Sequence, residues 1–161
     1  MQGVTQGLLT VKASQRFVIV AVEFNKWITS QLEIGAREEL CKLGADPSQI
    51  TTLWTPGSFE IPTVAMAVAK KGGVSAIICL GCIIRGQTAH FDHVASAATS
   101  GIAAVGPATG VPAIFGVITA DTQEQAMDRA GLKMGNTGSH SARAAVHMAN
   151  LMAEIVEGSR K

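Results

Sequence analysis

SAIICLGCIIRGQTAHFDHV, residues 75–94, is the stretch that decides how the rest of the chain is read. Residues 75–80 form an apolar run that suits a strand buried on both faces of a sheet. Directly after it, residues 81–94 crowd together two glycines, an arginine, a threonine, an aspartate and two histidines ahead of a helix-like segment. In a sheet with helices on both faces, residues just past the carboxyl end of a strand line the ligand crevice, so an active site is expected here.

Outward from this stretch, residues 16–22 (RFVIVAV) predict a first strand, and Leu8, Leu9 and Val11 an extra N-terminal edge strand. Ile28, Leu32, Ala36, Leu40 and Leu43 recur at helical spacing up to Gly44, a helix stop. Trp27, Ile34 and Cys41 give that helix a second apolar face, which something has to cover. Asp46-Pro47 marks a turn, residues 50–55 a second strand, and Pro56-Gly57-Ser58 a sharp loop. A short helix over 64–71, with Pro62 near its first turn, ends at Gly72-Gly73.

Beyond residue 94 a small-residue helix runs to about Val105, and residues 111–119 predict a fourth strand that begins at Pro112. Asp121 or Thr122 caps a helix over 123–130; Gly131, Gly135 and Gly138 break the path before a last helix over 139–156. A strand followed by a helix, four times over, predicts one α/β domain spanning residues 1–161. Its expected form is a three-layer sandwich, with a four-stranded parallel sheet, right-handed crossovers and helices on both faces, plus the N-terminal edge strand.

Of 161 residues, 47% are apolar and 16% charged, a low charge density for a monomer surface. Abundant small residues would produce it too, but a surface covered by other subunits is the favoured reading. A net charge of +1 gives no field for nucleic acid, and no basic run stands out. No apolar segment is long enough to span a bilayer, and the first residues lack the apolar core of a signal peptide, so a soluble cytoplasmic protein is expected. Three cysteines, an odd number, fit a reducing compartment.

Cys79-Leu80-Gly81-Cys82, with His90 and His93 soon after, raises a zinc site or a dithiol. Cys79 falls inside a strand, a thioredoxin-like pair would open a helix, and the gap to His90 is short for a zinc finger; no metal is expected. His90, near a helix start, can exchange protons near neutral pH, or one of the histidines merely caps or packs. Gly86-Gln87-Thr88 offers backbone N–H groups and a hydroxyl to a phosphate. Arg129 has Gln125 and Lys133 four residues away and no carboxylate, leaving it available to an anion, although spacing alone favours a solvated surface arginine. Phe24 and Phe59 follow the first two strands, where aromatics can hold a flat ring and Asn25 and Glu60 its polar edges; core aromatics with capping neighbours are the plainer alternative.

Phe24-Asn25 followed by Ile28-Thr29, PGSFEIP at 56–62, LGCIIRGQTAHFDHV at 80–94, VPAIFGVIT at 111–119 and EQAMDRAG at 124–131 together resemble the lumazine synthase family, in the family's order and over most of the chain. The resemblance implies a flavodoxin-like strand order. It also implies a transferase that condenses 5-amino-6-(D-ribitylamino)uracil with L-3,4-dihydroxy-2-butanone 4-phosphate to 6,7-dimethyl-8-ribityllumazine, without metal or other cofactor. Carried over by motif, Phe24 and Asn25 bind at the pyrimidine, Ser58, Phe59 and Glu60 hold the ribityl chain and ring edge, and Cys82, Ile83 and Ile84 contact the uracil through backbone. Gln87, Thr88 and Arg129 bind the phosphate, His90 shuttles protons, and Phe115 closes over the ring.

In the family Phe115 and Arg129 reach the site from the adjacent subunit. A homopentamer is therefore implied, and the uninterrupted turn over 131–138 is compatible with pentamers forming an icosahedral shell. A functional association with riboflavin synthase is implied as well. Three positions depart from the family pattern: Thr137 where lysine is common, His93 where tyrosine is common, and Glu23 where arginine is frequent. The competing readings are a flavodoxin-like FMN module, a riboflavin synthase of the archaeal type and a non-enzymatic shell protein. The first would need a hydroxyl-rich loop in place of Glu23-Phe24-Asn25-Lys26.

Overall fold

Apolar runs rich in β-branched residues form the sheet. β1 (Phe17–Val22) pairs in parallel with both β2 (Ile50–Thr55) and β3 (Ala76–Ile84), and β4 (Ala113–Ala120) pairs with β3, giving the order β2-β1-β3-β4. The computed structural model describes residues 6–158. Successive side chains of a strand point to opposite faces, which sorts β1 between two cores. Phe17, Ile19 and Ala21 pack with α1 (Lys26–Lys42) and α5 (Thr137–Gly158), whereas Val18, Val20 and Val22 pack with α2 (Ile61–Lys71) and α3 (His90–Thr109). The expected three layers are present, and α4 (Gln123–Asp128) adds Ala126 to the first core. Among the described residues no helix is long and apolar enough to cross a membrane.

Two expectations about where strands run change. No strand forms over residues 6–16, so the N-terminal edge strand is absent from the described residues. The backbone there is satisfied by helices instead: buried Asn150 of α5 donates to the Leu8 and Thr10 carbonyls at 2.6 and 3.0 Å, and the Val11 N–H donates to the Leu43 carbonyl at 2.9 Å. In addition, β3 does not stop at Leu80 but runs to Ile84, because β4 continues alongside it to the pair Ile84↔Ala120. Gly81 sits inside the strand for a steric reason, since a Cβ there would lie 2.8 Å from the Ser58 hydroxyl oxygen.

Helix ends follow local chemistry. Thr122, not Asp121, caps α4 by accepting from the Gln125 N–H at 3.3 Å, and α4 stops at Asp128 instead of reaching residue 130. α5 starts two residues earlier than its apolar pattern, because the Asn136 side chain accepts from the Gly138 and Ser139 N–H groups at 2.8 and 3.2 Å. The same amide donates to the Gln31 carbonyl at 2.9 Å, and a Cβ on Gly138 would strike the Leu32 backbone, so the start of α5 is pressed onto α1. The second apolar face of α1 stays open, with Trp27 49% exposed and Ile34 and Cys41 also exposed.

Candidate active site

From β1 the chain passes through α1 to β2 on one side and then crosses back to β3 on the other. The sequence order therefore reverses between β1 and β3, and ligands of open parallel sheets bind outside the strand ends at such a reversal. A cleft of about 760 Å³ opens there. It is lined by Phe24 after β1, residues 56–60 after β2, Cys82, Ile83 and Ile84 at the end of β3, Gly86 and Thr88 of the next turn, and His90, Phe91 and Val94 of α3. That volume suits a ligand of ordinary metabolite size.

The wall after β1 depends on one unusual residue. Asn25 holds a left-handed backbone (φ 57°), a conformation asparagine tolerates better than most residues, and this turns the chain sharply out of β1. Its carbonyl accepts from the Ile28 and Thr29 N–H groups at 2.9 and 3.1 Å, starting α1. Its side-chain amide donates to the Cys82 carbonyl at 3.1 Å, so Asn25 reaches behind the cleft to the β3 backbone. Phe24 is left 70% exposed at the rim, and Phe59, 60% exposed, lines the same cleft. Backbone bonds from Glu23 to Thr55 (2.8 Å) and from Phe24 to Pro56 (3.2 Å) join the two loops, and the Glu60 carboxylate lies back against Gly57. Lys26 braces the Phe24 loop from outside, its Nζ 3.1 Å from the Glu23 carboxylate and 4.6 Å from the centroid of the Trp54 ring.

The opposite wall is α3. His90 is its first residue and is exposed; its backbone N–H donates to the Thr88 hydroxyl at 3.4 Å. Two exposed aromatic faces, a carboxylate, a hydroxyl-bearing turn and an imidazole thus surround one cavity. Such a set can sandwich a flat ring, bind hydroxyls and exchange protons.

The two cysteines of the C-x-x-C pattern cannot act together. Cys79 belongs to the α2/α3 core and Cys82 to the α1/α5 core, so they point to opposite sides of the sheet. Burial pushes the Cys79 thiol up to about 12 and the Cys82 thiol up to about 11, which keeps both protonated at neutral pH.

Of the residues expected at a site, Phe24, Ser58, Phe59, Glu60, Cys82, Ile83, Ile84, Thr88 and His90 meet in the cleft. Asn25, Gln87, Phe115 and Arg129 are not among its lining residues. Phe115 lies in β4 and is 43% exposed. Arg129 is exposed at the end of α4, and its carbonyl accepts the Thr137 N–H at 2.8 Å, which puts residue 137 beside it. Phe91 and Val94 were missed by sequence reasoning. Val94 lies one helical turn from His90 on the same face, a spacing the sequence offered.

The family model described as 6,7-dimethyl-8-ribityllumazine synthase matches residues 14–153, a span that includes all four strands, every residue lining the cleft, and both Phe115 and Arg129. With that match over most of its length, the chain belongs to the 6,7-dimethyl-8-ribityllumazine synthase family, transferases of riboflavin biosynthesis.

Proposed function

We propose that the protein condenses 5-amino-6-(D-ribitylamino)uracil with L-3,4-dihydroxy-2-butanone 4-phosphate to give 6,7-dimethyl-8-ribityllumazine, the penultimate step of riboflavin biosynthesis. The observation that carries this reading is the meeting, in one cleft at the sheet's reversal point, of exposed Phe24 and Phe59 with Glu60, Thr88 and His90. The amine attacks the ketone and water leaves to form an imine; phosphate is then eliminated and ring closure releases a second water. Each step moves protons, and holding two reactants side by side supplies much of the acceleration.

In this reading Phe24 stacks on the pyrimidine, Ser58, Phe59 and Glu60 take the ribityl chain and ring edge, and the backbone of residues 82–84 meets the uracil. Asn25 contributes by fixing the Cys82 carbonyl. His90 exchanges protons, and Gln87 and Thr88 take the phosphate with Arg129. Since Phe115 and Arg129 do not line the cleft of their own chain, they serve the cleft of a neighbouring copy. The assembly is then a homopentamer at least, with a shell of pentamers as its larger form and riboflavin synthase as a functional associate. The open apolar face carrying Trp27 and Ile34 supports subunit contact.

Incubating the protein with both substrates and following lumazine fluorescence tests the reaction; no product at micromolar enzyme would refute it. Co-expressing His90→Ala and Arg129→Ala chains tests the shared site. Activity above that of either variant alone is expected, and its absence would argue for a site built within one chain.

A further inference from the structure

Arg85 follows the last residue of β3 and precedes the turn that carries Gly86, Thr88 and His90 to the cleft. Its backbone N–H donates to the Ala120 carbonyl at 2.9 Å. Its Nε donates to Asp121 Oδ1 at 2.9 Å, just past β4, and its Nη1 donates to both oxygens of Asp92, in the first turn of α3, at 3.3 and 3.4 Å. The guanidinium also lies over the Phe91 ring, 4.1 Å from its centroid. One planar group therefore ties together the ends of β3 and β4 and the start of α3. Phe91 lines the cleft and Asp92 is two residues beyond His90.

Residues 85–90 are all exposed, so burial within their own chain does not fix this turn. Inside it, the tether is the 3.4 Å bond from the His90 N–H to the Thr88 hydroxyl. Exposed ion pairs contribute little to global stability, so the effect of this cluster is on where α3 begins. A guanidinium suits the task because its rigid fork can serve two carboxylates while its face covers a ring, and an ammonium cannot do both.

We propose that Arg85 is a positioning residue for the reaction: through Asp92 and Asp121 it holds His90 and Phe91 at the cleft wall and does not itself contact substrate. This rests on the proton-transfer reading of His90. The test is steady-state kinetics for both substrates with Arg85→Gln, Arg85→Lys and Asp121→Asn, each alone and combined with His90→Ala. Arg85→Gln is expected to lower kcat about tenfold with both KM values nearly unchanged, and Asp121→Asn about threefold. Arg85→Lys should recover only part of the loss. In the His90→Ala background Arg85→Gln should cost less than about twofold, because a group already removed cannot be misplaced.

An equal loss in both backgrounds, or full activity in Arg85→Gln, would overturn the proposal. So would a rise confined to the KM of the phosphate-bearing substrate, which would mark Arg85 as an anion contact. A His90→Ala enzyme with full turnover would remove the proton-transfer reading and this proposal with it. A His90→Ala enzyme that is impaired, yet just as sensitive to Arg85→Gln, would remove only the positioning role.

Discussion

At the floor of the cleft Cys82 and Ile83 are buried and their backbone is locked by β4 on one side and by the Asn25 amide on the other, whereas on the rim residues 85–90 are all exposed and side-chain pairs hold the turn. The floor is held by burial and by backbone pairing inside a core. The rim is held by Arg85 with its two aspartates and, across the cleft, by Lys26 with Glu23 and Trp54. Groups that meet a ligand are drawn from parts of a structure with little burial, because there a side chain can be placed for chemistry without a core having to accommodate it. Damage to the floor should therefore appear as lost stability, and damage to the rim as lost rate.

Leu80→Ala is the hardest blow to the floor. Leu80 is fully buried in the α1/α5 core, and its truncation should cost about 2–5 kcal/mol in urea unfolding at fixed protomer concentration. A loss below about 1 kcal/mol would mean that burial is not what holds the floor. On the rim, His90→Ala should lower turnover by about one to two decades while moving unfolding stability by less than about 0.5 kcal/mol. Comparable losses of rate and stability would erase the distinction.

Asn25 joins the two regions, and a pair of substitutions separates its roles. Asn25→Gly keeps the left-handed turn and loses only the bond to Cys82, about 1 kcal/mol, while Asn25→Ala adds about 1–2 kcal/mol of backbone strain. Equal effects in thermal unfolding would show that the turn conformation is not what asparagine supplies.

The last effect is nil at neutral pH and appears only in alkali. The Cys82 and Cys79 thiols titrate at about 11 and about 12 in the folded protein, well above the ordinary thiol value of about 8.5. Above that ordinary value the unfolded chain has already lost protons that the folded one keeps, so stability should fall as pH rises from about 9 through 11 to 12 and be flat with respect to these groups below it. Cys82→Ala should remove part of that slope. At pH 8, alkylation of the native protein should spare buried Cys79 and Cys82 until unfolding.

β1 was legible because a parallel strand buried on both faces is a nearly continuous apolar run; the less buried 50–55 stretch, half threonine, also became β2 without a change of boundary. The sequence pattern ends the strand over 75–80 at Gly81 because glycine and the polar residues beyond it carry a loop pattern. Only the neighbouring β4 and the crowding Ser58 hydroxyl explain why the strand continues. Leu8, Leu9 and Val11 form a short apolar cluster of the kind that suits an edge strand, but the backbone of Leu8 and Val11 meets Asn150 and Leu43, partners far away in sequence. Phe24, Phe59 and His90 were readable from their places after strand ends. Arg85 was not, since its meaning lies in Asp121, from another strand end. Phe115 and Arg129 stay outside the cleft of one chain, and no pattern of local spacing could have placed them there.

The place of β1 in the sheet has a consequence during synthesis. β1 is flanked on both sides, as β3 is, yet it alone is made before either neighbour, and its Phe17 pairs with Ile50 and Ala76. As the chain leaves the ribosome, the run FVIVAV, apolar throughout and free of charge or proline, has no sheet partner until residue 50 is made and only one until residue 76 follows. A short, uncharged, β-prone segment left waiting in this way is the kind that pairs with the wrong chain. A holdase that covers β1 through that interval would raise the yield of folded protein more than one that acts on any later strand.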